Sequence, residues 1–240
     1  MGHVGFVAGA TGLTGRAVVR HLIAAGARAI AHVRPDSPLL DEHRAELERI
    51  GASVDITPWD QAAITTALRA HAPDWVFSLL GTTKKRLRAA SARGQDPESE
   101  SYEAVDYGLS ALLRRASEAC GHAPRFVYLS AVGVDPDGDT ANRYLQARAR
   151  MERELREGAL PYTIVRPGFI TGDRDESRPG ESIGAGVTNG LLAVAGVFGA
   201  KGLRDRYRSI TGDALGRACV QLALDPDAEN GTYGGDALRA

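Results

Sequence analysis

The sequence predicts an α/β fold, a doubly wound parallel sheet of the Rossmann type, in a single domain over residues 1–240 with substrate-side loops. Three observations predict it. Short, continuously apolar runs alternate with longer amphipathic stretches along the chain. The first run, Val4–Ala8, leads straight into the turn Gly9-Ala10-Thr11-Gly12-Leu13-Thr14-Gly15, which opens an amphipathic stretch. The length, 240 residues, suits one α/β domain with a full sheet.

The expected strands are Val4–Ala8, Ala29–Val33, Ser53–Ile56, Trp75–Leu80, Phe126–Leu129 and Tyr162–Val165. They read as largely apolar runs rather than alternating ones, as expected for strands covered on both faces. Helices are expected at Thr14–Ala25, Leu39–Ile50, Ala62–His71, Tyr102–Cys120, Ala141–Glu157 and Thr211–Leu224, the last stopped by Asp225-Pro226. A β-α-β-α order implies parallel strands. Two stretches resist the pattern: a basic one near 81–99 and a second near 171–210, charged and loop-like in its first half. Both follow strands at their C-terminal ends, the edge where open α/β sheets bind ligands. They are read as substrate-side segments, the basic one helping to close the site; the plain alternative for it is a solvated surface loop.

Composition narrows the function. Lys plus Arg number 29 and Asp plus Glu 30, so no global charge points to nucleic acid or an anionic membrane. The most apolar late stretch, 190–200, is too short to span a bilayer. Cys120 and Cys219 stand far apart and fit no metal spacing, and the His residues form no ligand pair, so no metal is expected. Reduced thiols and the absence of a secretory signal suggest a cytoplasmic protein. Asn230-Gly231-Thr232 reads as a turn rather than a glycosylation site. Ser130 lies outside any Gly-x-Ser-x-Gly elbow, and no Gly-Lys-Ser/Thr follows a glycine run, which removes the hydrolase and NTPase classes.

The glycine turn carries the chemistry. Gly9 permits the tight turn, Gly12 lets the backbone approach a pyrophosphate, and Gly15 lets the helix pack on the sheet. Thr11, Leu13 and Thr14 complete the loop, and the diphosphate would sit at the helix N-terminus. After the second strand comes Arg34 rather than an acid, the nearest being Asp36. A guanidinium there suits the 2′-phosphate of NADP, so NADPH is the expected cofactor.

The glycine spacing with Ser130 and Tyr144 resembles the atypical short-chain dehydrogenase/reductases. Leu80-Gly81-Thr82-Thr83, Tyr144-Leu145-Gln146, Arg166-Pro167-Gly168 and the run Asp173–Glu181 resemble its Tat-interacting-protein (oxidoreductase-like) branch. The resemblance implies that Leu80, Gly81 and Thr82 lie along the cofactor and that Pro167, Gly168, Phe169 and Ile170 pass the nicotinamide. It implies that Ser130 faces a substrate carbonyl and that Tyr144 donates the proton. The family pattern has Lys four residues after the Tyr; here Arg148 stands one helical turn on, able to hold the ribose but not to relay a proton. The leading expectation is an NADPH-dependent oxidoreductase acting on a small carbonyl or similar acceptor, as a monomer or homodimer. The alternative is a non-catalytic NADPH-binding regulator of a protein partner, which Arg148 favours. A cofactor-retaining epimerase is a third reading, disfavoured by the short C-terminal region.

Overall fold

A computed structural model describes residues 2–82, 101–171 and 209–239. In chain order they form β1 (Val4–Ala8), α1 (Leu13–Ala24), β2 (Arg28–His32), α2 (Leu40–Arg49), β3 (Ser53–Asp55), α3 (Gln61–His71) and β4 (Trp75–Ser78). Then come a π-helix (Tyr102–Leu109), α4 (Ser110–Ala119), β5 (Arg125–Leu129), α5 (Arg143–Glu157) and β6 (Tyr162–Arg166). The short strands β7 (Ile170–Thr171) and β8 (Ile210–Thr211), α6 (Gly212–Leu224) and β9 (Gly231–Gly234) complete them.

Seven strands make one sheet in the order β3-β2-β1-β4-β5-β6-β9, and every pairing is parallel. The order reverses between β1 and β4, the switch point where a crevice opens beyond the strand ends. All six expected strands form, with ends shifted by one or two residues. The apolar runs work as read because both faces are covered. Val18, Val19 and Leu22 of α1, Leu47 of α2 and Leu215 of α6 pack on one face; Ile64, Leu68, Leu113, Met151 and Leu155 pack on the other. Each such side chain contributes about 1.5–3 kcal/mol by leaving water.

Two elements depart from expectation. The segment expected as one helix, Tyr102–Cys120, begins as eight residues of π-helix before continuing as α4. Wider turns of this kind often mark functional sites. The last thirty residues, where a helix and a turn but no strand are expected, supply β9, parallel to β6 from Thr163↔Gly231 to Arg166↔Gly234. Asn230 turns there as expected, with φ 58°, and its side-chain oxygen accepts the Tyr162 backbone N–H at 3.2 Å. The basic stretch beyond Thr82 and the Asp173–Glu181 run lie outside the described residues.

Candidate cofactor site

The glycine turn is built at β1's end as its sequence requires. Gly9 has φ 85°, and a Cβ there would come within 2.7 Å of the Leu79 carbonyl oxygen. Its own carbonyl accepts the Gly12 N–H at 3.0 Å. A Cβ on Gly15 would overlap that carbonyl and Ala10. The turn is therefore pressed between β4's exit and the first turn of α1, with no space for a side chain at Gly9 or Gly15. Gly12 is the N-cap and lies exposed, and no side chain caps the helix. The first-turn N–H groups thus lack a side-chain acceptor, which a diphosphate would supply. Thr11 is half-buried; Thr14 is buried; Leu13 packs so closely on Gly212 of α6 that no side chain fits at that glycine.

Arg34 stands two residues past β2, whose His32 is in register with Ala8, immediately before Gly9. It is half-buried, and its Nε lies 3.7 Å from Asp36. Leu80, Gly81 and Thr82 leave β4 at the switch point. The Thr82 hydroxyl is buried without a hydrogen-bond partner, a group that a bound polar ligand would satisfy. The cradle that side chains would fill, the uncapped helix and this orphan hydroxyl fit a dinucleotide. Pro167–Ile170 leave β6 in extended form. The Pro167 carbonyl accepts the Val132 N–H, the Phe169 carbonyl accepts the Ile210 N–H, and Ile170 starts β7.

The three candidate catalytic residues are placed differently. Asn142 caps α5, accepting the N–H of Tyr144 at 3.0 Å, so Tyr144 sits in the helix's first turn at the sheet's C-terminal edge. It is half-buried, edge-on to Tyr102 at 5.4 Å between ring centroids, with the Arg148 guanidinium 5.3 Å from its own.

Arg148 points inward, with its side chain 5% exposed. One terminal nitrogen donates to the Leu129 carbonyl at 2.5 Å and the Tyr128 hydroxyl at 3.3 Å. The other donates to the Leu80 carbonyl at 3.0 Å and to Asp106 at 2.5 Å. Four of its N–H groups are thus spent on protein, and Nε, buried without a partner, is left. This corrects the picture of Arg148 as an open ribose clamp: it ties the exits of β4 and β5 to the π-helix. Burial opposes its charge, but Tyr128, Tyr144 and Asp106 outweigh that and hold the guanidinium protonated. Burial above all pushes the Tyr128 phenol up to about 12, against the pull of Arg148.

Ser130 also departs from expectation. Its hydroxyl donates to Glu152 at 2.6 Å, and Glu152 is wholly buried between Ser130 and the Arg166 guanidinium, which grips both carboxylate oxygens. Ser130 therefore links β5 to α5 through Glu152, and its hydroxyl proton is directed at that carboxylate rather than into the crevice. Tyr144, Arg148 and Glu152 follow one another at four-residue steps, so one inward stripe of α5 carries all three.

Sequence reasoning missed Asp106. It is fully buried on the π-helix, takes Arg148 on one oxygen and accepts the Thr82 N–H on the other at 2.9 Å. Its signal was a lone acid among the apolar residues of Ala104–Gly108, with no partner visible nearby in sequence. Among the described residues no cluster of His, Cys, Asp and Glu could hold a metal ion, and no helix is long and apolar enough to cross a membrane.

Residues 9–190 match the model of a family described as NAD(P)H-binding. The chain belongs to that family. The NAD(P)H-binding chain is 28% identical to the Saccharomyces cerevisiae protein FMP52, mitochondrial, over 94% of its own length and 90% of the relative's. It is 27% identical to the Aspergillus niger protein fmp52, mitochondrial, over 90% and 85%. In structure it resembles a Bacillus halodurans protein assigned as an NAD-dependent epimerase/dehydratase, with TM-score 0.67, 22% identity and 96% and 92% of the two chains covered. It also resembles a leucoanthocyanidin reductase–NADPH complex from Vitis vinifera, with TM-score 0.63, 20% identity and 95% and 67% covered. The NAD(P)H-binding chain thus has a single Rossmann-type α/β fold, shared with these structures. The comparisons carry that family and not the Tat-interacting-protein branch. They also correct the cytoplasmic expectation, because the relatives are named as mitochondrial proteins. Reduced thiols do not distinguish the cytoplasm from another reducing compartment.

Proposed function

We propose that the chain is an NADPH-dependent oxidoreductase in which Tyr144 is the proton donor at the acceptor. The observation that carries it is the shared edge: the tight glycine turn, Arg34, the exit of β4 and Tyr144 all lie at the C-terminal ends of the parallel strands. When bound, the nicotinamide would supply a hydride. The first turn of α1 would hold the diphosphate, Arg34 would bind the 2′-phosphate, and Gly81 and Thr82 would lie along the cofactor. Tyr144 gives its proton to the reduced acceptor, with the Arg148 guanidinium 5.3 Å from its ring. Arg148 acts at a fixed distance, as a positioning residue. Ser130 and Glu152 hold the β5 exit in shape.

One observation favours a second reading, an NADPH-binding regulator without turnover. Ser130 and Arg148, the partners a catalytic tyrosine needs, are both engaged within the protein. Two measurements test the proposal: fluorescence titration with NADPH and NADH, and NADPH oxidation against a panel of aldehydes, ketones and quinones. Tighter NADPH binding with turnover of any acceptor supports the oxidoreductase. Tight binding with no turnover across the panel transfers support to the regulator, and equal affinities remove Arg34 from its role.

A further inference from the structure

The exit of β4 is fixed on two sides. On one side it presses on the glycine turn: a Cβ at Gly9 would meet the Leu79 carbonyl oxygen at 2.7 Å and the Leu80 nitrogen at 3.4 Å. On the other it is held by the buried pair of Arg148 and Asp106, whose side chains are 5% and 0% exposed. The same Arg148 nitrogen that meets Asp106 takes the Leu80 carbonyl at 3.0 Å, and Asp106 takes the Thr82 N–H at 2.9 Å. Gly81, between them, lies against both members. A Cβ there would stand 3.0 Å from that Arg148 nitrogen and 3.4 Å from an Asp106 carboxylate oxygen. These contacts satisfy the backbone of the exit and leave one side-chain group over. Thr82 is 8% exposed, and its hydroxyl is buried with no hydrogen-bond partner. A native fold rarely keeps such a group unpaired without a use for it.

We propose that Asp106 is a positioning residue for the bound dinucleotide: by fixing the Thr82 N–H directly and the Leu80 carbonyl through Arg148, it holds the Thr82 hydroxyl in place as a hydrogen-bond donor to the cofactor. The inference rests on the dinucleotide reading of this site and deepens it, whichever of NADPH and NADH is preferred. An acid suits the position because a carboxylate offers two acceptor oxygens, one for the Thr82 N–H and one for the guanidinium. An amide in its place would offer one acceptor and turn its NH₂ toward the other donor. Asp106 itself never touches the cofactor. It acts through Thr82, and the charge-assisted bond to Arg148 keeps it in place. Arg148 in turn reaches the Leu129 carbonyl at the end of β5 and stands 5.3 Å from the Tyr144 ring, so one buried pair sets the cofactor's strand exit and the neighbour of the proton donor together.

The test is a double-variant cycle in the full chain, read as NADPH and NADH affinity by fluorescence titration, with the melting temperature measured alongside. Thr82→Val deletes the hydroxyl and keeps the N–H. It is expected to weaken both cofactors about fivefold, the scale of one hydrogen bond, with the melting temperature unchanged or raised. Asp106→Asn is expected to weaken both roughly threefold to fivefold. In the Thr82→Val background its further effect should shrink to under about twofold, because the acid acts through that hydroxyl. Gly81→Ala crowds the pair while keeping both charges, so its loss of affinity should depend on Thr82 in the same way; it takes over as the probe if Asp106→Asn does not fold. A melting temperature that falls in Asp106→Asn while both affinities hold or rise makes the acid a brace alone and overturns the proposal. Losses in the single variants that multiply in the double variant overturn it as well. Failure of the unaltered chain to bind either cofactor defeats the dinucleotide reading itself, a result distinct from binding that the variants leave unchanged.

Discussion

Replacing Asp106 should destabilise the protein more than any exposed ion-pair change, because its partner is a buried guanidinium. Asp106→Ala leaves the Arg148 charge, 5% exposed, without its counter-ion and leaves the Thr82 N–H without its acceptor. Stranding one member of a buried pair costs about 3–5 kcal/mol, and an unsatisfied amide adds about 1–3 kcal/mol where it stays dry. The two share one pocket, so relaxation will absorb part of the sum, and about 4 kcal/mol is expected. That is a large share of the roughly 5–15 kcal/mol that holds a domain folded. At about 2–4 °C per kcal/mol for a chain of this size, the melting temperature should fall by roughly 8–16 °C. Urea unfolding followed by circular dichroism measures the free energy directly. The double variant Asp106→Leu/Arg148→Met removes both charges together and should be more stable than Asp106→Ala alone, since no ion is left stranded. A loss under about 1 kcal/mol in Asp106→Ala, or a double variant that simply adds the two single losses, would refute the buried-pair reasoning.

Three further outcomes are expected. Tyr144→Phe should leave NADPH binding and the melting temperature nearly unchanged and lower turnover by about 10²–10⁴-fold in steady-state assays, the usual contribution of a general acid; an unchanged rate assigns the proton to another group. Gly15→Ala should cost about 1–3 kcal/mol or more in urea unfolding and weaken both cofactors alike, because its methyl group would overlap the Gly9 carbonyl. Burial works to raise the Asp55 pKa, but the His71 ring nitrogen at 2.9 Å and the Thr57 N–H outweigh it and bring it to about 2. A depressed carboxyl stabilises the fold above its unfolded pKa, so about 1–2 kcal/mol should be lost between pH 4 and 2. Asp55→Asn should flatten that limb of the stability–pH curve, and an identical limb in the variant removes the pair as its cause.

Much of the fold was legible because its signals are local. A strand covered on both faces must be largely apolar, and Val4–Ala8, Trp75–Phe77 and Phe126–Leu129 are. The glycine turn was legible for a related reason: at Gly9 and Gly15 the backbone itself fills the space that a Cβ would need. Arg34 was legible because register carries it to the turn. β9 was not, since Gly231–Gly234 has almost no apolar character and forms only where β6 offers an open edge. The π-helix was not either, because its periodicity differs too little from an α-helix to show in eight residues.

The division at the site follows the same physics. By itself the sequence determined the parallel sheet, the dinucleotide turn, Arg34 just past β2 and the helical turn that separates Tyr144 from Arg148, all signals set by near neighbours in the chain. Only the tertiary structure decided what the inward face of α5 touches. Arg148 meets an acid 42 positions away and Glu152 meets a serine 22 positions away, and both pairings exist because packing α5 against the sheet removes water from charged groups that must then find partners. Residue type fixed what Ser130 and Arg148 are able to do. The buried carboxylates of Asp106 and Glu152, brought to them by the fold, decided which of those capacities is spent inside the protein and left Tyr144 half-open at the edge.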